Sequence, residues 1–262
     1  MVIDTHIHVF DEKIAHSAVE KLKQTAQIEN VTDGTVADTD RKMTQWGVDK
    51  GVLLSIATKP SQQRKINDWI ASKASERFIP FGTVHPDAPD AVEELEYIKE
   101  LGMKGIKLHP DYQNFLIDEK RMYPIYERCR ELGLICIFHG GYDPVSPELV
   151  HAMPEQTAKV LKELPGFQAV IAHLGGFGQW DDVEEYLAGT DCYLDTALLA
   201  HGIENRQYER IIQKHGADKI LFATDCPWES ACDAINKIEQ LSISDDDKEK
   251  IFYRNAALLL RL

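Results

Sequence analysis

The chain has 262 residues, 44% hydrophobic and 27% charged, a composition that buries a sizeable core and excludes disorder as the main state. Forty-three acidic against 29 basic side chains leave a net charge of −14, which repels a phosphate backbone and argues against nucleic acid or an anionic membrane as partner. The five cysteines, Cys129, Cys136, Cys192, Cys226 and Cys232, form no C-x-x-C pair and fit a reducing cytoplasm. The opening MVIDTHIHVF carries an acid and no basic stretch, so it does not read as a secretory signal. The longest uncharged run, residues 164–180, is broken by Pro165 and several glycines, which is wrong for a membrane span.

In chain order, eight β-rich runs alternate with helical patterns. The runs cover residues 2–9, 48–57, 77–85, 104–109, 134–139, 167–173, 190–195 and 219–225. Several, such as LICIF and AVIA, are continuous apolar stretches, as strands buried on both faces are. Between them, residues 91–101, 122–132 and 156–164 place apolar side chains on one stripe and stop at glycine or proline. Residues 29–40 have little apolar content and are expected to form a loop at the barrel mouth. The tail SDDDKEKIFYRNAALLLRL begins with a polar cap, turns apolar and predicts a closing helix. Eight βα repeats, with no linker or low-complexity tract, predict one (β/α)8 TIM barrel domain over residues 1–262.

The ten histidines are not scattered. His6, His8, His85, His109, His139 and His173 fall at or near the C-terminal ends of predicted strands, the active face of this fold, while His16, His151, His201 and His215 fall in helices or their flanks. In Asp4-Thr5-His6-Ile7-His8, alternation sends His6 and His8 to one face, where two neutral imidazoles can chelate a divalent cation. IFHGG around His139, IAHLGG around His173 and FATDCPW around Asp225 each end an apolar strand in a hydrogen-bonding residue. Three imidazoles and a carboxylate suit Zn²⁺ and other divalent transition ions.

With DTHIH on the first strand, GIKLHP on the fourth, FHGG on the fifth, AHLGG on the sixth, ATDCPW on the eighth and RNAALLL in the last helix, the chain resembles the amidohydrolase superfamily. Its likeness is greatest to the branch that includes aromatic-acid decarboxylases. The resemblance implies that His6, His8, His139 and Asp225 hold one divalent ion, with Zn²⁺ first and Mn²⁺ or a second ion as alternatives. It makes His173 a catalytic histidine beside that ion, or a ligand of a second one. Lys107 is either an unmodified amine or, as in two-metal members such as dihydroorotases, a carboxylated bridge; the one-metal branch favours the amine. Its bland alternative is an ion pair with Asp4 or Asp195.

Two chemistries share these residues. In hydrolysis, placed first, a metal-activated water attacks a small carboxylate-bearing amide or lactone, with Asp225 as general base and His173 orienting the water. Lys107 or His109 would bind the substrate's carboxylate. The alternative is non-oxidative decarboxylation of a small aromatic or unsaturated acid, in which a protonated group delivers H⁺ to carbon. A catalytically silent metal-binding barrel is the reading from another class, and the presence of all four donors with His173 argues against it. The expected partner is a small molecule, and a homo-oligomer is compatible with the sequence. His85 is expected to cap a loop, Cys226 to face the core, and Tyr112, Phe115, Tyr142, Phe177 and Trp180 to be loop packing or an apolar substrate wall.

Overall fold

A computed structural model describes residues 1–200 and 202–262; His201, expected in a helix flank, lies outside the described residues. Eight strands follow in order: β1 (Ile3–His8), β2 (Lys50–Leu54), β3 (Phe78–Pro80), β4 (Gly105–Leu108), β5 (Ile135–Phe138), β6 (Ala169–Ile171), β7 (Tyr193–Asp195) and β8 (Ile220–Leu221). All pairings are parallel, β1 to β3 in one run and β4 to β8 in another. Isolated bridges join the runs into a ring, Gly82 beside Ile106 and Ile7 beside Cys226. Backbone bonds support both seams, from Gly82 N–H to Gly105 O at 2.9 Å and from Asp225 N–H to His6 O at 2.9 Å. The expected (β/α)8 barrel is formed.

Alternation along the strands separates two cores. Ile3, Val52, Leu54, Phe81, Ile135, Ile137, Val170 and Leu221 fill the barrel, while Cys136, Phe138, Ile106, Leu108 and Leu194 pack outward under the helices. Gly105 is required by this filling, because a Cβ there would lie 2.3 Å from the Phe81 ring. The parity that points Ile137 inward also points His139 inward, and the same holds for Lys107 and His109 along β4 and its continuation. The floor of the barrel is therefore apolar and its C-terminal rim polar. A register shift in β1 between Asp4 and Ile7 adjusts the strand just where the first two histidines leave the apolar layer.

Helices Ala91–Glu100, Tyr123–Leu132 and Pro154–Glu163 agree with the periodic stripes to within two residues. The strands pair over shorter stretches than their apolar runs, because their ends peel away into turns; after β6, His173 already has φ 59°. One expectation is corrected. Residues 29–40 are not all loop, since a helix spans Val36–Trp46, with Thr35 accepting the Asp38 N–H as cap and Gly47 closing it in the left-handed conformation. The stretch offered only Val31, Val36 and Ala37 as apolar residues, while the rest of the buried face, Met43 and Trp46, comes later, with Thr39 a polar member of it.

The tail forms Asp245–Glu249, a wider turn over Lys250–Arg254 and Asn255–Leu260. Ala256 and Leu260 pack on the barrel-filling cluster, and Lys104 just ahead of β4 reaches the Leu260 carbonyl, so this closing helix seals the floor as expected. All five cysteines are free and four are buried, Cys226 among them, where burial pushes its thiol up. No helix among the described residues is long and apolar enough to cross a membrane.

Candidate metal centre

His6 and His8, one pleat apart on β1, meet Asp225 from the turn after β8. Their Nε2 atoms are 3.1 Å apart and each lies 3.2 Å from Asp225 Oδ1. The two rings stand nearly edge to face, with centroids 5.0 Å apart and an interplanar angle of 68°. On the far side of the His6 ring, Nδ1 lies 2.8 Å from Asp195 Oδ2, which commits its proton there and leaves Nε2 as a lone pair. Burial, with the nearby charge of Lys107, holds the His6 imidazole well below its usual range, so it is neutral. Burial would push Asp225 up, but His6 and His8 outweigh it and hold the carboxyl at about 2. Two imidazole nitrogens and an ionised carboxylate aimed at one spot suit a divalent cation as a donor set.

Lys107, on β4, is fully buried, and its Nζ lies 3.2 Å from His6 Nε2. Burial pulls its pKa down to about 8, against the attraction of Asp195, Asp225 and Asp143, so at neutral pH most of it still carries a proton. It contacts the donor set directly, whereas the bland reading paired it with Asp4 or Asp195. Asp4 instead accepts from Thr224 Oγ1 at 2.6 Å and from the His6 N–H at 3.0 Å, tying β1 to the end of β8.

His139 and His173 adjoin this set. His139 Nδ1 faces His173 Nε2 at 3.0 Å, and the His173 ring centroid is 5.9 Å from that of His6. The His173 Nδ1–H donates to the Ala197 carbonyl at 2.9 Å, so its Nε2 is the free nitrogen. The other nitrogen of His139, Nε2, is buried without a hydrogen-bond partner and faces Asp111 and Asp143 carboxylate oxygens at 3.9 and 3.8 Å. With His173 Nε2 free, the 3.0 Å contact is a hydrogen bond donated by His139 Nδ1–H; moving that proton to Nε2, beside the two carboxylates, turns Nδ1 into a metal donor.

A second buried group consists of His109, His139 and Asp143. His109 Nε2 is 3.5 Å from Asp143 Oδ2, and its ring stacks at 4.3 Å and 7° on His139 and at 3.8 Å and 8° on Tyr112. Behind it, Asp111 Oδ1 accepts from His151 Nδ1 at 2.9 Å and from Ser146 Oγ, fastening residues 140–153 over this side of the rim. Asp111, Asp143, Asp195 and His151 went unassigned as site residues in the sequence. HPDY and YLDT did hold two of the acids at strand ends; Asp143 and His151 lie in an irregular loop that no period predicts. Of the expected aromatics, Tyr112, Phe177 and Trp180 contact His109 or His173, whereas Phe115 belongs to the core. His85 caps its loop by accepting the Asp87 N–H at 3.1 Å.

The model of one family, described as amidohydrolase, matches residues 3–262. A gamma-resorcylate decarboxylase from Polaromonas sp. strain JS666 is 25% identical over 247 aligned positions, spanning 76% of each chain. A 2-amino-3-carboxymuconate-6-semialdehyde decarboxylase from Dictyostelium discoideum is 31% identical over 201 positions, 62% of this chain and 55% of that protein's length. Among solved structures, a dihydroxybenzoic acid decarboxylase from Polaromonas sp. JS666, with bound manganese and the inhibitor 2-nitroresorcinol, has a TM-score of 0.72 at 19% identity. That match covers 100% of this chain and 97% of the other, a likeness of fold.

Proposed function

The chain belongs to the amidohydrolase family, and on that premise we propose that it removes a carboxyl group, without oxidation, from a small aromatic or unsaturated acid. Decarboxylase relatives favour this chemistry over the hydrolysis that the sequence put first. The observation that carries an acid as the substrate is the buried Lys107 ammonium 3.2 Å from a nitrogen of the donor set, a positive charge where a carboxylate would lie; the relatives decide what becomes of that carboxylate.

We assign His6, His8, His139 through Nδ1, and Asp225 to one divalent cation. The residues fit it, because three donor atoms converge within hydrogen-bonding distances and His139 offers Nδ1 as a fourth once its proton passes to Nε2, on the side of Asp111 and Asp143. Zn²⁺ and Mn²⁺ both suit such donors, and the manganese in the dihydroxybenzoic acid decarboxylase supports the second. When bound, the cation supplies Lewis acidity to the carboxylate and a neighbouring substrate oxygen. Lys107 neutralises the carboxylate and His109 orients the ring beside Tyr112. The bond from ring carbon to carboxyl carbon breaks, its electron pair stays on the ring carbon, and a proton from His173 Nε2 takes its place as CO2 leaves. In the reacting form His173 carries a second proton, taken up on Nε2, while Nδ1–H stays on the Ala197 carbonyl.

The test is protein reconstituted with Mn²⁺ or Zn²⁺ and offered hydroxylated aromatic acids and unsaturated amino acids, alongside lactones and cyclic amides. The expected result is CO2 release, with one deuterium at the former carboxyl position in D2O. Turnover of a lactone or amide with no CO2 from any acid would return the hydrolytic reading.

A further inference from the structure

Asp195 ends β7, is fully buried, and accepts from three N–H groups at once. Oδ2 takes the His6 Nδ1–H at 2.8 Å; Oδ1 takes the backbone N–H of His173 at 3.0 Å and of Ala197 at 3.0 Å. Each bond bears on a ring nitrogen used elsewhere. Holding the His6 proton on Nδ1 turns a lone pair towards His8 and Asp225. Holding the Ala197 N–H fixes the peptide turn whose own carbonyl receives His173 Nδ1–H at 2.9 Å.

The third bond acts on strained backbone. His173 and Leu174 have φ of 59° and 54°, left-handed values rare outside glycine, and such a turn persists only when its surroundings over-determine it. The Asp195 carboxylate meets the first N–H of that turn directly.

We propose that Asp195 is a positioning residue that sets the tautomers of both His6 and His173, so that one buried carboxylate governs cation affinity and proton delivery together. The inference rests on the metal centre proposed above and not on which reaction it serves. Asparagine has the right shape and the wrong valence: it offers one oxygen and one NH2 where three donors need acceptors on both sides. Whichever way it turns, either the ring of His6 or the turn at His173 and Ala197 faces another donor.

The experiment uses Asp195→Asn and the parent chain, both metal-free at the start. Competition with a chromophoric chelator for Zn²⁺ or Mn²⁺ should show affinity reduced ~10–100-fold, the range for loss of a carboxylate behind a ligating histidine. Long-range ¹H–¹⁵N spectra of the imidazoles should show Nδ1–H at His6 and His173 in the parent, with at least one changed in the variant; a merely structural role would leave these signals alone. A folded variant with parental affinity and parental tautomers overturns the inference while leaving the metal centre intact. A parent chain that binds neither ion instead overturns the centre itself, and with it the affinity half of the inference. Should the variant fail to fold, the parent spectrum decides, since His6 or His173 protonated at Nε2 and bare at Nδ1 overturns the inference.

Discussion

His6, His8 and Asp225 on one side of the barrel rim, and His109, His139 and Asp143 on the other, each bring two imidazoles and a carboxylate within 4.8 Å. In composition they are the same ligand set. In geometry they differ, because an imidazole lone pair lies in its ring plane. Rings inclined at 68° can aim at one point, whereas rings stacked at 7° aim side by side. Their carboxylates differ in the same sense. Asp225 is held at about 2, and Asp143 is pushed by burial up to about 6 against the Val145 N–H that bonds it. Residue type makes a metal site conceivable, and ring orientation decides it. On the reading proposed above, the first group takes the cation and His139 joins it through Nδ1, leaving its stacked face to the substrate side.

The largest effect that follows is on cation content. His6→Ala should lose the ion on dialysis, whereas His109→Ala should keep about one equivalent by elemental analysis. Equal loss in both would erase the distinction between the two groups. His173→Gln comes next: with the cation retained, kcat should fall ~10²–10⁴-fold, the usual contribution of a positioned proton donor. A metal-loaded variant with near-parental kcat would move proton delivery to another residue. Lys107→Met tests the boundary between the groups, since it removes the ammonium without touching a donor atom. Losing a charge-assisted bond of ~1.5–3 kcal/mol should raise KM for the acid ~10–100-fold with cation content unchanged. A carbamate on Lys107 in density from crystals of the parent would recast that residue as a metal bridge.

The amino-acid sequence carried the barrel well, because burial on both faces of each strand writes apolar runs and the helices between them write stripes. The polar rim was legible only at strand ends. His6, His8, Lys107, His139, His173 and Asp225 sit where a period stops: Lys107, His139 and Asp225 keep the inward parity of their strands, whereas His6 and His8 need the register shift in β1 and His173 the left-handed turn after β6. Asp195 also ends a strand, but its work is to accept three N–H groups, two of them on the neighbouring turn, and no spacing along one strand encodes a partner on the next. Asp143 and His151 come from the irregular stretch after β5, whose path depends on Asp111 and Ser146 contacts formed only in the folded chain. The helix at Val36–Trp46 was missed for a different reason: its Thr35 cap was in plain view, but its buried face includes the polar Thr39 and reaches Met43 only beyond residue 40.

The smallest expected effect separates the two carboxylates by sign. A carboxyl raised from 3.8 to about 6 in the folded chain destabilises it above pH 6, where it is forced to ionise in place, and ceases to do so below pH 3.8, where folded and unfolded forms both hold the proton. Asparagine at position 143 is neutral throughout and keeps the oxygen that accepts from Val145 N–H at 2.7 Å. Asp143→Asn should therefore stabilise the metal-free protein by ~1–3 kcal/mol at pH 8, with the gain fading between pH 6 and 4. Asp225 runs the other way: a carboxyl lowered to about 2 stabilises above pH 3.8 and stops as pH falls towards 2. Asp225→Asn should accordingly destabilise at pH 8, by ~1–3 kcal/mol. Urea unfolding of both variants in chelator at pH 8 and pH 4.5 reads the two signs. If both destabilise at pH 8, Asp143 is held ionised by its surroundings, and the contrast in charge between the two groups is lost.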